Sequence, residues 1–385
     1  MTAVPRDQSL PVSRQERLPV SQEERLARIT WARISEPGDR RAQALVARLG
    51  PVEALRAVRE GDPRLERWRV RLPNVRAERD LVPTGSRAPR VLVPGDRGWP
   101  HALDCLGTAA PFCLWARGEG DPALATSRAA AVVGTRAASG YGEHVAAELG
   151  AGLADLAVTV ISGAAYGVDG AAHRGVLAAG GCTIAVLASG VDRGYPRGNA
   201  RLIERIAESG LVIAEVPPGA APTRWRFLAR NRLIAALATV TVVVEAAWRS
   251  GALSTAAWAA RLARTVAAVP GPVTSPTSTG CHALLRDGAV CVTEAREVLE
   301  LVSPIGTDLA EPVAPPQADH DGLSPDELRV FDALPLRRAV AVASLCQVAG
   351  LPEASVLACL GLLELRGLAR RDGAGWLRAR GRGVP

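Results

Sequence analysis

Four arginines and two aromatic residues fall within ten positions, Thr223–Arg232 (TRWRFLARNR). Guanidinium groups neutralise phosphates and aromatic rings stack on bases, so this interleaving is typical of a surface that holds single-stranded nucleic acid. The candidate binding residues in the segment are Phe227, Arg230, Asn231 and Arg232.

The position of Arg230 on its predicted helix is unusual. A helix over residues 227–238 places Phe227, Ile234 and Leu237 on one face, and Arg230 falls among these apolar side chains. A charge in such a place needs a partner, because burying it unpaired is costly.

The partner of Arg230 is either a phosphate of a bound ligand or a buried carboxylate, for which Glu215 and Glu245 are the candidates. We favour the phosphate. Arg232 points the other way on the helix, where it either contributes to binding or is only a surface charge.

Two serine–glycine pairs, Ser139-Gly140 and Ser250-Gly251, precede predicted helices. The free amides and the dipole of a helix N-terminus bind phosphate, although a serine in this position is also an ordinary N-cap. Both pairs lie beside arginines on the same predicted sheet edge, and this favours phosphate binding.

Asp169 and His173 are four residues apart and could form an acid/base pair or hold a metal. We favour the alternative in which Asp169 caps its helix and His173 packs. The sequence contains neither a G-x-S-x-G motif nor a Cys–His signature of a nucleophile. We therefore expect no catalytic residues and no metal.

The elements that position these residues are six short, β-branched runs that alternate with amphipathic helices. Such alternation predicts an α/β fold, a parallel sheet with helices on both faces. The predicted strands are residues 130–134, 158–162, 182–188, 211–215, 240–245 and 265–269.

The loops that follow these strands contain the Gly, Ser, Asn and Arg residues, whereas the loops that precede them are chemically plain. Ligands of open α/β sheets bind at the carboxyl ends of the strands. The loop Gly134-Thr135-Arg136 lacks the G-x-G-x-x-G spacing of a dinucleotide site, and the chain has no lysine for a P-loop. We therefore expect no cofactor.

The flanking regions differ in character from the sheet region. The helical periodicity of residues 23–80 indicates a small helical module, which is either of the sterile-alpha-motif or helix-hairpin-helix type or a plain helical packing domain. At the C-terminus, three predicted helices and a basic hairpin indicate a winged helix. The expected segments are a disordered tail (1–22), the helical module (23–80), a Rossmann-like domain (81–302), a linker (303–322) and a winged helix-turn-helix domain (323–385).

All 46 basic residues are arginine, and the net charge of +7 suggests a polyanionic partner. The seven cysteines are scattered and form no C-x-x-C pair, as is usual in a reducing cytoplasm. The N-terminus has no apolar signal core and no run is long enough to span a membrane. We expect a cytoplasmic protein.

Taken together, the motifs between Val91 and Val302 resemble the DNA-processing protein A (DprA/Smf) family. They are G-T-R-x-x-S-x-Y-G (134–142), S-G-x-A-x-G-V-D-x-x-A-H (162–173), Y-P-x-x-N (195–199), F-x-x-R-N-R-x-I (227–234), S-G-x-L-x-T (250–255) and V-P-G (269–271).

The resemblance implies an extended Rossmann fold that binds single-stranded DNA at the strand ends, forms a homodimer and loads a RecA-type recombinase in natural transformation. It also implies that the protein has no enzymatic activity. The chain departs from the family pattern at Tyr166, Ala236 and Cys281-His282, which puts the fine shape of the pocket in question. The candidate nucleic-acid-binding residues are Gly134, Thr135, Arg136, Ser139, Tyr141, Gly142, Ser162, Gly163, Arg197, Asn199, Phe227, Arg230, Asn231, Arg232, Ser250 and Gly251.

Two alternatives belong to other functional classes. Related Rossmann-like proteins hydrolyse the N-glycosidic bond of nucleoside monophosphates, but their P-G-G-x-G-T-x-x-E motif is absent here, and Thr255 has no following glutamate. The winged helix could instead make the protein a regulator that binds double-stranded DNA, or it could contact another protein.

Overall fold

The computed structural model describes residues 19–82, 88–304, 306–308 and 321–379. The chain divides into two compact units, Met1–Ala310 and Glu311–Pro385. Most of the predicted tail and most of the predicted linker lie outside the described residues.

The first unit begins with short helices. Ser21 and Asp39 cap the first two by accepting hydrogen bonds from backbone amides of the first turn, and the predicted break at residues 36–39 separates them. The helices are α1 (Gln22–Ile34), α2 (Arg40–Leu49), α3 (Pro51–Glu60) and α4 (Glu66–Arg69).

A nine-stranded sheet follows, with the strand order β1-β2-β6-β5-β4-β3-β7-β8-β9. The six predicted strands are confirmed as the parallel strands β3 to β8, and the antiparallel β1 and β2 and the two-residue β9 were not predicted. The strands are β1 (Arg90–Leu92), β2 (Leu114–Arg117), β3 (Ala129–Val133), β4 (Thr159–Ser162), β5 (Thr183–Leu187), β6 (Leu211–Ala214), β7 (Val240–Val243), β8 (Thr265–Ala268) and β9 (Val290–Cys291).

Helices cover both faces of this sheet, so the doubly wound α/β prediction is confirmed. One face packs against α6, α7 and α12, and the other packs against α9, α10 and α11. The helices are α5 (Pro122–Ala125), α6 (Gly140–Asp155), α7 (Val168–Ala178), α8 (Ala200–Ser209), α9 (Arg224–Leu237), α10 (Ala252–Arg261), α11 (Thr279–Arg286) and α12 (Ala295–Val302).

Helices α1 to α4 share their hydrophobic core with the sheet. Ile29 of α1 lies in one cluster with Trp115 of β2, and Trp31 stacks on Phe112 with ring centroids 5.8 Å apart. The predicted module 23–80 is therefore not a separate compact unit, because its apolar faces are covered by the residues that lead into and form β2.

The second unit has the three helices and the hairpin of a winged helix, as predicted. Among the described residues, no single helix is long and apolar enough to cross a membrane, and only the sharply bent pair α14 and α15 passes a test of length and composition. The elements are α13 (Pro325–Ala333), α14 (Val342–Ala349), α15 (Glu353–Leu365), β10 (Ala369–Asp372) and β11 (Gly375–Arg378).

The shared core predicts that Trp31→Ala destabilises the whole first unit. Trp31 is fully buried, and replacing a buried tryptophan with alanine costs about 3–5 kcal/mol. Chemical denaturation followed by circular dichroism should show this loss, whereas Trp248→Ala, at an exposed position, should change the free energy of unfolding by less than about 0.5 kcal/mol. A separate early transition for α1 to α4, with an unchanged main transition, would contradict the shared core.

Candidate nucleic-acid interface

A pocket of about 660 Å³ opens at the carboxyl ends of the central parallel strands. The loops after strands β3 to β7, the start of α7, the helix α9 up to Ile234 and the start of α10 form its walls. Eight of the sixteen candidate residues line it: Gly134, Thr135, Arg136, Phe227, Arg230, Asn231, Ser250 and Gly251.

The lining of the pocket is strongly cationic. Arg136, Arg224, Arg230 and Arg249 line it, and Asp169 is the one acidic residue among the described lining residues. Arg224 and Arg249 were not among the sixteen candidates. Arg224 lies within the arginine-rich segment Thr223–Arg232, and Arg249 directly precedes the Ser250-Gly251 pair. The excess of positive charge suits an anionic ligand.

Arg230 is buried at the base of the pocket. Its guanidinium donates a hydrogen bond to the carbonyl of Val186, and no described residue accepts from its Nε. Burial lowers the pKa of Arg230 to about 10, with the nearby Asp169 opposing this shift and Arg136 adding to it. Arg230 therefore remains cationic at neutral pH.

Neither of the two predicted carboxylates is the partner of Arg230, and the acidic group whose charge acts on it is Asp169. Glu215 pairs with Arg232, and Glu245 accepts from Ser139, so neither serves Arg230. A side chain at Gly163 would collide with the guanidinium, so the glycine leaves room for Arg230 to reach the strand ends.

Asp169 does not cap its helix as predicted. The N-cap of α7 is Gly167, and the Asp169 carboxylate instead accepts a hydrogen bond from the amide of Gly163. Burial raises the pKa of Asp169, and the charge of Arg230 partly offsets this rise. The carboxylate thus organises the loops beneath the pocket.

His173 packs, as predicted. Its ring is fully buried and its Nδ1 lies 2.7 Å from the hydroxyl of Thr183. Burial lowers the pKa of His173 to about 3. A neutral, enclosed imidazole of this kind holds α7 on the sheet and has no contact with the pocket.

Phe227 projects from the first turn of α9 into the pocket. The guanidinium of Arg136 lies 4.4 Å from its ring centroid, and the ring of Tyr195 lies 5.8 Å away in a tilted arrangement. Tyr195 is the first residue of the Y-P-x-x-N motif and was not among the sixteen candidates. A cation and two rings are thus assembled at one place, where a base can stack.

The two serine–glycine pairs behave differently. Ser250 lines the pocket and its Oγ accepts from the amide of Ala252, while the side chain of Asn231 donates to the carbonyl of Gly251. This pair lies at the N-terminus of α10 and faces the cavity, as an anion site requires.

At Ser139 the helix N-terminus already holds a carboxylate. Glu245 accepts hydrogen bonds from the Ser139 amide at 2.9 Å and from its hydroxyl at 2.7 Å, and the Ser139 hydroxyl also caps α6 through the amide of Gly142. A side chain at Gly142 would collide with Glu245. Ser139 and Gly142 therefore fix the loop after β3, and they do not line the pocket.

The interpretation of Arg232 as a surface charge is wrong. Its side chain is 2% exposed, pairs with Glu215 at 2.6 Å and donates to the carbonyl of Ala109 at 2.7 Å. The 3₁₀-helical segment His101–Ala109 packs against α9 on this side, and the second half of α9, from Arg230 onward, is buried.

The other candidates outside the pocket have structural partners or lie on its periphery. Ser162 donates to the carbonyl of Val132, and the amide of Asn199 donates to the carbonyls of Ala164 and Ala165. Tyr141 and Arg197 are exposed at the same edge of the sheet.

The departures from the family pattern leave the pocket intact. The hydroxyl of Tyr166 accepts from the amide of Gly198, and Ala236 is buried against the sheet. Cys281 is buried, and His282 lies 3.0 Å from the carbonyl of Gly271. None of these four residues lines the pocket.

Comparison with known families assigns the chain. Residues 90–303 match the family model described as DNA recombination-mediator protein A, and residues 314–375 match the DprA winged helix domain. The chain belongs to the DprA/Smf family.

Relatives in this family extend over most of the chain. A DNA processing protein DprA of Mycobacterium tuberculosis is 48% identical over 360 residues, which is 89% of this chain and 92% of the relative. Protein Smf of Escherichia coli is 37% identical, with 75% of this chain and 77% of Smf covered. The X-ray structure of DprA from Streptococcus pneumoniae aligns with a TM-score of 0.60 at 28% identity and covers 73% of this chain and 98% of that one.

The buried ion pair between Arg232 and Glu215 predicts that Arg232→Ala strongly lowers the free energy of unfolding. Removing one partner leaves Glu215 charged and unpaired in the interior, which costs about 3–5 kcal/mol. Denaturation in urea should show this loss, whereas the control Arg224→Ala removes an exposed arginine of the same helix and should cost less than about 0.5 kcal/mol. Equal stability of the two variants would contradict the structural role of Arg232.

Proposed function

We propose that this DprA/Smf protein binds single-stranded DNA in the pocket at the carboxyl edge of the sheet. The observation that carries the proposal is the charge of that pocket, where four arginines face one aspartate. Because Asp169 lies next to the buried Arg230, the other three arginines remain available to phosphates.

The aromatic residues favour single strands over duplexes. Phe227 and Tyr195 both line the pocket, and rings of this kind stack on the faces of bases, which a duplex keeps covered by neighbouring base pairs. Stacking is possible with every base, so we expect little sequence preference.

The cellular role that we propose follows from family membership. We infer that the protein works in the cytoplasm as a homodimer, protects incoming single strands in natural transformation and loads a RecA-type recombinase on them. Co-sedimentation of recombinase with this protein and single-stranded DNA, compared with DNA alone, tests the loading step.

We propose no enzymatic activity and no cofactor. N-glycosidic hydrolysis requires a carboxylate at the substrate, but Asp169 is engaged by backbone amides and by the charge of Arg230. Incubation with nucleoside monophosphates, followed by chromatography for free base, tests this alternative.

The residues of the winged helix give little support to the alternative of a regulator that reads the sequence of double-stranded DNA. Its third helix, α15, carries no arginine and no amide side chain, whereas base edges in the major groove are read mainly by such groups. The exposed arginines Arg370 and Arg371 lie in the hairpin instead.

Substitutions in the pocket should separate charge from stacking. For Arg136→Ala and Arg249→Ala, we expect weaker binding of single-stranded DNA and a slope of log affinity against log salt that is shallower by about 0.7, because one phosphate contact is lost. For Phe227→Ala, we expect a loss of about 1–3 kcal/mol with an unchanged slope. Fluorescence anisotropy with labelled oligonucleotides over a salt series measures both quantities.

The matched control is Arg261→Ala, since Arg261 is exposed at the C-terminal end of α10, away from the pocket. It should leave both affinity and slope near the wild-type values. Duplex DNA of the same length should bind more weakly than the single strand. Wild-type affinity in the three folded pocket variants would contradict the proposed site.

A further inference from the structure

The exposed aromatic side chains are not scattered over the surface. The chain has eight tryptophans, three tyrosines and three phenylalanines, and all of them lie in the described ranges. Those that are more than two-fifths exposed are Tyr141, Tyr166, Tyr195, Trp225 and Trp248, with exposures of 42%, 48%, 43%, 60% and 71%. We call these five residues the aromatic row.

Each member of the aromatic row follows a different parallel strand. Tyr141 follows β3, Tyr166 follows β4, Tyr195 follows β5, Trp225 follows β6 in the first turn of α9, and Trp248 follows β7. All five therefore lie on the side of the sheet where the strands end, which is also the side of the pocket.

The five strands that these residues follow are neighbours in the sheet. Strands β6, β5, β4, β3 and β7 are adjacent in the sheet in this order. Adjacent strands are about 4.8 Å apart, so the five strand ends extend over about 19 Å. At about 3.4 Å per stacked nucleotide, this length accommodates about five or six nucleotides.

The tyrosine rings are held in place while much of their surface remains exposed. The hydroxyl of Tyr141 donates to the carbonyl of Pro270 at 2.7 Å, and the hydroxyl of Tyr166 accepts from the amide of Gly198 at 3.1 Å. Tyr195 packs against Phe227. Rings that are fixed before binding lose little conformational entropy when a ligand stacks on them.

The row is continuous with the cationic pocket. Tyr195 lines the pocket, and Trp225 and Trp248 are directly preceded or followed by the lining residues Arg224 and Arg249. An exposed apolar surface could also receive a protein, but arginines adjoin both tryptophans of the row, and rings beside arginines are the combination that binds a nucleic acid backbone and its bases together.

We propose that the aromatic row is a stacking track for single-stranded DNA that extends the pocket on both sides along the sheet edge. This inference rests on the proposed function and adds Tyr166, Trp225 and Trp248 to the binding residues. The pocket holds the strand by its phosphates, and the track holds the bases that run out of the pocket.

The track predicts an effect that depends on oligonucleotide length. Anisotropy should compare an oligothymidine of about four nucleotides with one of about twelve, within the range of lengths that single-strand-binding folds occupy. Trp248→Ala, Trp225→Ala and Tyr166→Ala should each weaken binding of the longer oligonucleotide by roughly five- to 150-fold, the equivalent of one lost stack. Binding of the shorter one and the salt slope should change little.

Two controls separate stacking from other effects. Tyr166→Phe keeps the ring and removes only the hydrogen bond to Gly198, so it should lose much less affinity for the longer oligonucleotide than Tyr166→Ala does. Leu124→Ala removes an equally exposed apolar side chain that precedes β3, at the opposite edge of the sheet, and should have no effect. Unchanged melting temperatures confirm that the variants are folded.

The outcomes distinguish the track from the proposed function. If Arg136→Ala and Phe227→Ala weaken binding at both lengths but the three track variants all retain wild-type affinity for the longer oligonucleotide, the track is wrong and the pocket stands. If Arg136→Ala and Phe227→Ala have no effect at either length, the proposed function itself fails.

Discussion

The position of α9 depends on the ion pair between Arg232 and Glu215, and the binding pocket depends on α9. Arg232 reaches Glu215 at the end of β6 at 2.6 Å, on the side of the helix away from the cavity. A buried ion pair contributes little net stability compared with apolar packing. It nevertheless restricts the position of the helix, because a displacement of α9 would leave a buried charge unpaired. The residues that α9 directs into the pocket are Arg224, Phe227, Leu228, Arg230, Asn231 and Ile234.

Two other buried charges extend this arrangement along the sheet edge. Glu245 at the end of β7 fixes the loop after β3 through Ser139, and Asp169 fixes the loop after β4 through the amide of Gly163. The buried carboxylates of Glu245 and Asp169 thus hold the loops, whereas the arginines that line the pocket face the cavity. The aromatic row lies on the same side of the sheet, because its five members follow five adjacent parallel strands.

The sequence predicted the sheet and the edge at which the pocket opens, because β-branched runs, helical periodicity and the position of polar loops are local signals. It could not assign partners to Arg230 and Arg232, since these depend on residues far away in the chain. Helical periodicity alone predicts a solvent-facing side of α9 at Arg232, whereas the segment His101–Ala109 covers that side. The shared core of Ile29 with Trp115 is likewise a long-range contact that no periodicity reveals.

The proposed function requires that single-stranded DNA contacts the carboxyl edge of the sheet in the first unit. Photocrosslinking with an oligonucleotide that contains halogenated deoxyuridine, followed by mass spectrometry of the crosslinked peptides, measures this contact, because these bases react with aromatic rings stacked on them. We expect crosslinks at Phe227 and Tyr195 that are lost when unlabelled single-stranded DNA competes. Crosslinks confined to the hairpin of the second unit, residues 369–378, would contradict the proposed function.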